Sequence, residues 1–269
     1  MILTQAYALS AEQCTSFQTN GHIFLPGVAP AEHLQIYRKA IQEEVQAYAK
    51  TYLPLEKRDT YGKAFIQVGN LWTRHEIIKQ FVLAQRFGKI AAELLGVSGV
   101  RIYHDQALFK EPGGGHTPWH QDQIYWPLDH QQTITMWMPL VDIPEEVGSM
   151  TFGSGTYHDG YISKETISDE SHKTFASYIE GRRIPTVNYG AMKAGDATFH
   201  AGWTLHSAPG NPTDHLREVM TIIYVADGAI ISEPDSSSRK SDLASWLPGL
   251  QPGDLVASPI NPLVYTTNS

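Results

Sequence analysis

The feature that most constrains this chain is a change of hydrophobic period near Val100. Before it, apolar residues recur at spacings of three and four. Leu34, Tyr37, Ile41, Val45 and Tyr48 predict an amphipathic helix from Pro30 to about Lys50, and Phe87, Ile90, Ala91, Leu94 and Leu95 predict another from roughly Arg86 to Leu95 with Gly96 as its stop. Ser10 can cap a short helix through Gln18, which Gly21 ends before HIFLPG, a strand and turn. After Val100 the segments RIYHDQALFK, TITMWMPLVDI, DATFHAGWTLHS and EVMTIIYVAD alternate in polarity between Gly, Pro, Asn and Asp clusters, as antiparallel strands do. Helices first and strands afterwards, with no flexible linker, predict an all-β core, a β-sandwich or jelly roll, buttressed by N-terminal α-helices. We read residues 1–269 as a single domain, with a mainly helical layer over 1–99, the jelly-roll core over 100–231 and a covering segment over 232–269. Within that last segment the polar stretch ISEPDSSSRKSDLASW, which begins just before it, reads as loop, and the Pro-rich tail drapes over the barrel.

Composition narrows the class. Apolar residues at 42% and charged residues at 18% fit a globular protein, and no run approaches the roughly 18 to 20 apolar residues of a membrane span. The N-terminal stretch MILTQAYALSAEQ lacks the marks of a secretory signal, so a cytoplasmic protein is expected. A formal net charge of −8, with scattered Lys and Arg, argues against nucleic acid as a partner and for a small molecule. Cys14 is the only cysteine, so a bound metal must use His and carboxylates.

Such a set exists. In TPWHQDQIYWP, His120 and Asp122 lie two apart, and residues i and i+2 of a strand project from one face. A third imidazole would complete the two-His, one-carboxylate arrangement that leaves open positions on non-haem iron(II), two for a bidentate oxo-acid and one for O2. GDATFHAGWTLHSAPGNPTDHLR offers His200 and His206. His206 is preferred because turn signals follow it at once, which places it near a strand end. His200 shares its parity and is either a rival ligand or a packed barrel residue, the latter preferred. Arg217 follows on the next apolar run, where a hairpin would return its fork to the same mouth to bind a carboxylate.

An H-x-D pair alone is weak, but its setting is not. ALFKEPGGGHTPWHQD, GSMTFGSGTYHDGY, GDATFHAGWTLHSAPGN and Arg217 together resemble the phytanoyl-CoA dioxygenase family of iron(II)/2-oxoglutarate oxygenases, most strongly from about Gln106 to Asp227. The resemblance implies that the core is a double-stranded β-helix (jelly roll, cupin-like), with His120, Asp122 and His206 as iron ligands and Arg217 as the anchor of the distal carboxylate of 2-oxoglutarate. It also implies Trp137, Gln67 and Gln106 near that cosubstrate. Many relatives carry Ser two residues after the last His; this chain has Ala208, with Ser207 or Thr221 as candidate replacements for the missing hydroxyl. The implied reaction consumes 2-oxoglutarate and O2, releases succinate and CO2, and hydroxylates an aliphatic C–H of a small molecule. Desaturation, ring formation and epimerisation are the alternatives.

Other residues are read more plainly. His116 is a loop residue, since Pro118 argues against a helical His pair with His120. His104, His130, His158 and His215 are expected at the surface or in ordinary hydrogen bonds, and Tyr125 and Trp126 lie close enough to line the mouth. Lys164, Lys173, Arg182 and Arg183 fall where a lid would lie; they read first as a solvated helix face, and as lid residues they would favour an anionic substrate. A halogenase would need a small residue in place of Asp122, and a non-catalytic metal-binding jelly roll would have no use for Arg217. A monomer or homodimer is expected.

Overall fold

The computed structural model describes residue 3 and residues 5–147 and 149–267. Residues 1, 2 and 4 of the N-terminal stretch and Gly148, which opens the segment GSMTFGSGTYHDGY, lie outside these. In chain order the elements are α1 (Ala11–Asn20), β1 (His22–Leu25), α2 (Ala31–Ala49), α3 (Thr60–Ala64), β2 (Ile66–Gly69), α4 (Glu76–Val82), α5 (Gln85–Leu95), β3 (Gly99–Lys110), β4 (Thr117–His120), β5 (Thr133–Pro139), β6 (Thr151–Gly153), α6 (Asp169–Arg182), β7 (Thr186–Asn188), β8 (Ala197–Ala201), β9 (His206–Ala208), β10 (Arg217–Ala226), α7 (Ser237–Trp246) and β11 (Leu263–Thr266).

The expected helix signals act as read. Ser10 and Gln13 form a reciprocal capping box on α1, and Gly21 ends it in the left-handed region at φ 77°. A side chain at Gly21 would also collide with Tyr157, 2.5 Å from an ideal Cβ. Gly96 closes α5 in the same way at φ 69°. The short α3 and α4 carry too few turns for a periodic signal, and sequence reading passes over them.

The strands form two antiparallel sheets. The larger runs β1-β8-β5-β10-β3-β11, with β2 also on β3, and the smaller runs β4-β9-β6-β7. This is the jelly-roll core with its helical buttress. The large sheet takes β1 and β2 from the first hundred residues and β11 from the tail, so both flanks of the chain are woven into it. The polar stretch read as loop contains α7, capped by the Ser236 hydroxyl on Arg239 N. Its few apolar residues hide the helix from a periodicity test, but capping and side-chain bonds to β3 hold it.

Every residue of β5, β8 and β10 is buried, because helices cover one face of the large sheet and the small sheet covers the other. Parity then decides destination. Ile134, Met136 and Met138 of β5, Phe199 of β8 and Met220, Ile222 and Tyr224 of β10 join the core beneath the helices. Their alternates Thr135, Trp137, His200, Arg217, Thr221 and Ile223 face a cavity between the sheets. No helix among the described residues is long and apolar enough to cross a membrane.

Candidate metal and oxo-acid site

β4 ends at His120, and Asp122 opens a 3₁₀ turn rather than continuing the strand. The two-residue logic survives because Gln121 between them is extended, at φ −118° and ψ 130°. Gln121 is itself pinned, its side-chain amide donating to the carbonyls of Gly160 (2.8 Å) and Trp203 (2.7 Å). Across the ladder His120 pairs directly with His206, so the first and last members of the set are register neighbours. His120 Nε2 lies 3.5 Å and His206 Nε2 3.6 Å from Asp122 Oδ1, and the three donor atoms fall within 4.8 Å of one another.

The tautomers suit a cation. His120 Nδ1 donates to Pro118 O at 2.7 Å and His206 Nδ1 to Thr204 O at 2.9 Å, which leaves both Nε2 lone pairs directed at the gap beside Asp122. Burial holds the His206 imidazole well below its ordinary pKa, in the neutral form that ligates. Burial works against the Asp122 carboxylate, but His206, His120 and His200 outweigh it and hold this group well below the usual carboxylate range. Two imidazole nitrogens and one carboxylate oxygen on one side of a gap are a donor set that fits iron(II).

His200, weighed from sequence as a rival ligand or a packed residue, sits behind the set. Its Nε2 donates to Asp122 Oδ2 at 3.1 Å, and Thr135 Oγ1 donates to the same oxygen at 3.0 Å. The carboxylate thus keeps Oδ2 for the protein and turns Oδ1 toward the gap. Sequence parity marked His200 as inward-facing, but nothing local could say which oxygen it would meet.

Arg217 lies at the start of β10, 3% exposed, with its Cζ 5.5 Å over the Trp137 ring. It does not arrive by a hairpin, as expected. β9 belongs to the small sheet and β10 to the large one, so the connection crosses between sheets and brings the guanidinium in from the opposite wall. Its Nε and Nη1 are buried without a hydrogen-bond partner. Burial lowers its pKa to about 10, which leaves it charged at neutral pH. Its register neighbour Lys110 is pushed down to about 6 by burial and by Arg217, and its Nζ donates to Gly115 O. Arg101 is engaged elsewhere, 2.5 Å from Asp227.

Gln67 and Gln106 face the cavity from β2 and β3, and the Tyr61 hydroxyl donates to Gln67 Oε1 at 2.6 Å. Ala208 lines the same space without a hydroxyl; Ser207 and Thr221 line it with one each, and that of Thr221 donates to Gln106 O at 3.1 Å. Thr117 was missed: it stands directly opposite Ala208 in the ladder, and its buried Oγ1 has no partner. His104 is a correction. Expected at the surface or in an ordinary bond, it is 3% exposed with Nδ1 unpartnered, because strand parity turns it inward. His116 is a loop residue beside His172, and Tyr125 and Trp126 line the cavity. Lys164, Lys173, Arg182 and Arg183 do not; Lys173 and Arg182 are solvated on α6, at 74% and 60% exposure. Tyr61 and Phe65, Ile167 of the lid stretch, and Asp242 and Trp246 of α7 also line it and were not anticipated.

The chain is similar to several known proteins. A methylphosphonate hydroxylase of Gimesia maris is 22% identical over 87% of this chain and 88% of its own length. A probable alpha-ketoglutarate-dependent hypophosphite dioxygenase of Stutzerimonas stutzeri is 23% identical over 81% and 79% respectively. Among solved structures, the non-heme alpha-ketoglutarate-dependent carbocyclase SnoK from nogalamycin biosynthesis aligns with a TM-score of 0.75 at 25% identity, covering 95% of this chain and 96% of that one. The epimerase SnoN, in complex with Fe3+, alpha-ketoglutarate and nogalamycin RO, aligns with a TM-score of 0.75 at 23% identity over 94% and 97%. The phytanoyl-CoA dioxygenase pattern itself matches residues 17–219, three quarters of the sequence, and the chain belongs to that family.

Proposed function

We propose that the whole chain works as one oxygenase domain, an iron(II)- and 2-oxoglutarate-dependent dioxygenase that hydroxylates an aliphatic C–H of a small molecule with release of succinate and CO2. His120, Asp122 and His206 hold the metal. Arg217 binds the distal carboxylate of 2-oxoglutarate through Nε and Nη1, and Trp137, Gln106 and Gln67 shape the surrounding wall. The observation that carries this reading is the pairing of a preset donor triad with a fully buried guanidinium whose two nitrogens lack a partner. An orphaned buried cation is costly and calls for an anion.

When bound, iron, the oxo-acid and O2 would together supply the chemistry that oxidises a C–H bond, with O2 as the oxidant. The protein's residues do the positioning. His200 and Thr135 hold Asp122 to one ligand oxygen, and the Nδ1 bonds of His120 and His206 aim their lone pairs. Thr117, across the ladder from Ala208, offers the hydroxyl that position 208 lacks, with Ser207 and Thr221 nearby. Ring closure and epimerisation are known among similar structures, and the choice rests on how the substrate sits. Lys164, Lys173, Arg182 and Arg183, which would have favoured an anionic substrate only as lid residues, stand outside the cavity.

The test is succinate release by the purified chain with iron(II), 2-oxoglutarate and a metabolite panel, with zinc substituted for iron in parallel. Coupled turnover with iron and none with zinc is expected. Hydrolysis of a substrate by the zinc form, with the iron form inert, would overturn the reading.

A further inference from the structure

The cavity runs along β10 from Arg217 to the level of the metal set, where Thr135, which bonds Asp122, is the register neighbour of Ile223. Ile223 lies six residues along β10 from Arg217, roughly 20 Å at the rise of a strand, and both line it. The end near Ile223 carries Tyr125, Trp126 and Trp246, with Asp242 on the same helix as Trp246. Asp242 sits on α7, and each of its oxygens is held by a neutral donor: Oδ1 by Trp246 Nε1 at 3.0 Å and Oδ2 by the Tyr103 hydroxyl at 2.9 Å. No cation within salt-bridge distance reaches it among the described residues. Arg239, one turn earlier, is 3.4 Å from Asp235 and donates to Ile124 O at 3.1 Å. His104 stacks on Trp246 at 4.3 Å, and burial lowers its pKa to about 3, so it brings no positive charge.

Charge balance makes this carboxylate stand out. Along the cavity from Arg217 to the metal set, iron(II), the Asp122 carboxylate, a doubly negative 2-oxoglutarate and the Arg217 guanidinium would cancel. Lys110, at about 6, adds little charge at neutral pH. Asp242 is therefore the acid lining the cavity with no cation beside it, and burial has pushed its carboxyl up to about 7, so it keeps its proton part of the time unless an opposite charge arrives. A buried carboxylate is stabilised by an opposite charge, and aromatic rings attract cations.

We propose that the prime substrate enters this end as a protonated amine, with Asp242 as its counter-ion and the rings of Tyr125 and Trp246 beside the ammonium group. The inference rests on the dioxygenase reading for its charge balance and supplies the substrate class that reading leaves open. Asp242 is a specificity residue here; it directs which molecule is presented to the metal and takes no part in oxidation.

Three probes sharing one ring separate the possibilities: benzylamine, benzyl alcohol and phenylacetate. Equilibrium dialysis measures their affinities with and without iron(II) and 2-oxoglutarate under anaerobic conditions, and the metal-to-ligand charge-transfer band reports the metal site independently. Benzylamine should bind at least about 10-fold more tightly than the other two, equivalent to about 1.4 kcal/mol. Asp242→Asn, which keeps an oxygen acceptor, should abolish that preference. Equal or tighter binding of the alcohol or acid, no binding of benzylamine, or a preference that persists in Asp242→Asn would overturn the proposal. Failure of the band to form would indict the iron and oxo-acid reading instead, and the dialysis comparison made without them still decides the role of Asp242.

Discussion

Arg217 and His200 show how much a single side chain's meaning depends on what it meets. The guanidinium is buried with Nε and Nη1 unpaired, so its removal should be felt by 2-oxoglutarate far more than by the prime substrate. Truncating one partner of such a pair costs about 2 to 5 kcal/mol. Arg217→Ala should therefore raise the 2-oxoglutarate concentration for half-saturation roughly 30- to 4,000-fold, measured by the charge-transfer band of the anaerobic iron(II) protein. Lys at this position should rescue only in part, since a point charge lacks the two-pronged geometry. Unchanged affinity in Arg217→Ala would move the distal acid elsewhere. His200 acts through Asp122 Oδ2, so His200→Ala should weaken iron binding about 10- to 100-fold in a competition titration. His200→Gln, which retains a donor, should recover part of it. A purely structural role would lower stability and leave iron affinity alone.

At the scale of elements, β3 is tied to the turn after β2 by Asp105. Its Oδ2 accepts from Leu71 N at 3.0 Å, and its backbone carbonyl accepts from Asn70 N at 2.9 Å. Burial raises the Asp105 carboxyl to about 7, against smaller lowering effects from the Leu71 and Trp72 amides and Arg74. The folded state thus keeps this proton longer than the unfolded chain does. Its contribution to stability is full below the ordinary value of 3.8 and is lost as pH rises through about 7. Unfolding free energy should fall over that window with a slope from this group of at most about 1.4 kcal/mol per pH unit. Asp105→Asn keeps an acceptor and removes the ionisation, so denaturant melts from pH 4 to 8 should show a flatter profile. Identical profiles for both proteins would mean that Asp105 titrates normally. Asp242 of α7 adds a slope of the same sign.

For the molecule as a whole, the helical layer and the large sheet share one core, and a polar clasp joins them. Arg38 of α2 donates to Glu218 of β10 through Nε (2.7 Å) and Nη2 (2.8 Å), and Gln42 donates to the same carboxylate at 2.8 Å. Glu218 follows Arg217 directly, on the opposite face of β10, so the clasp holds the strand that carries the oxo-acid anchor. Its side chain is 4% exposed while that of Arg38 is 28% exposed. Arg38→Ala leaves a buried charge with one neutral donor, and the loss should lie at the lower end of roughly 3 to 5 kcal/mol. A drop of about 5 to 10 °C in the unfolding midpoint is expected by calorimetry. A variant as stable as the parent would show that water replaces the guanidinium without cost.

Local pattern carries a good part of this protein. The helix periods of α2 and α5, the caps at Ser10 and Gly96 and the alternation in β3, β5 and β10 are properties of neighbouring residues, and they were legible before any fold was known. So was the two-residue spacing of His120 and Asp122, even though Asp122 has left the strand, because an extended Gln121 preserves the parity. The wall made by α7 was not legible: one cap and few apolar residues give almost no periodic signal, and the helix is held by Asp242 bonding to Tyr103 on a distant strand. Which hydroxyl faces Ala208, which carboxylate oxygen His200 holds, and from which sheet Arg217 arrives depend on pairing between strands far apart in the chain. Those were decided by the tertiary structure, since a ladder register fixes contacts between residues whose separation in sequence says nothing about their distance in space.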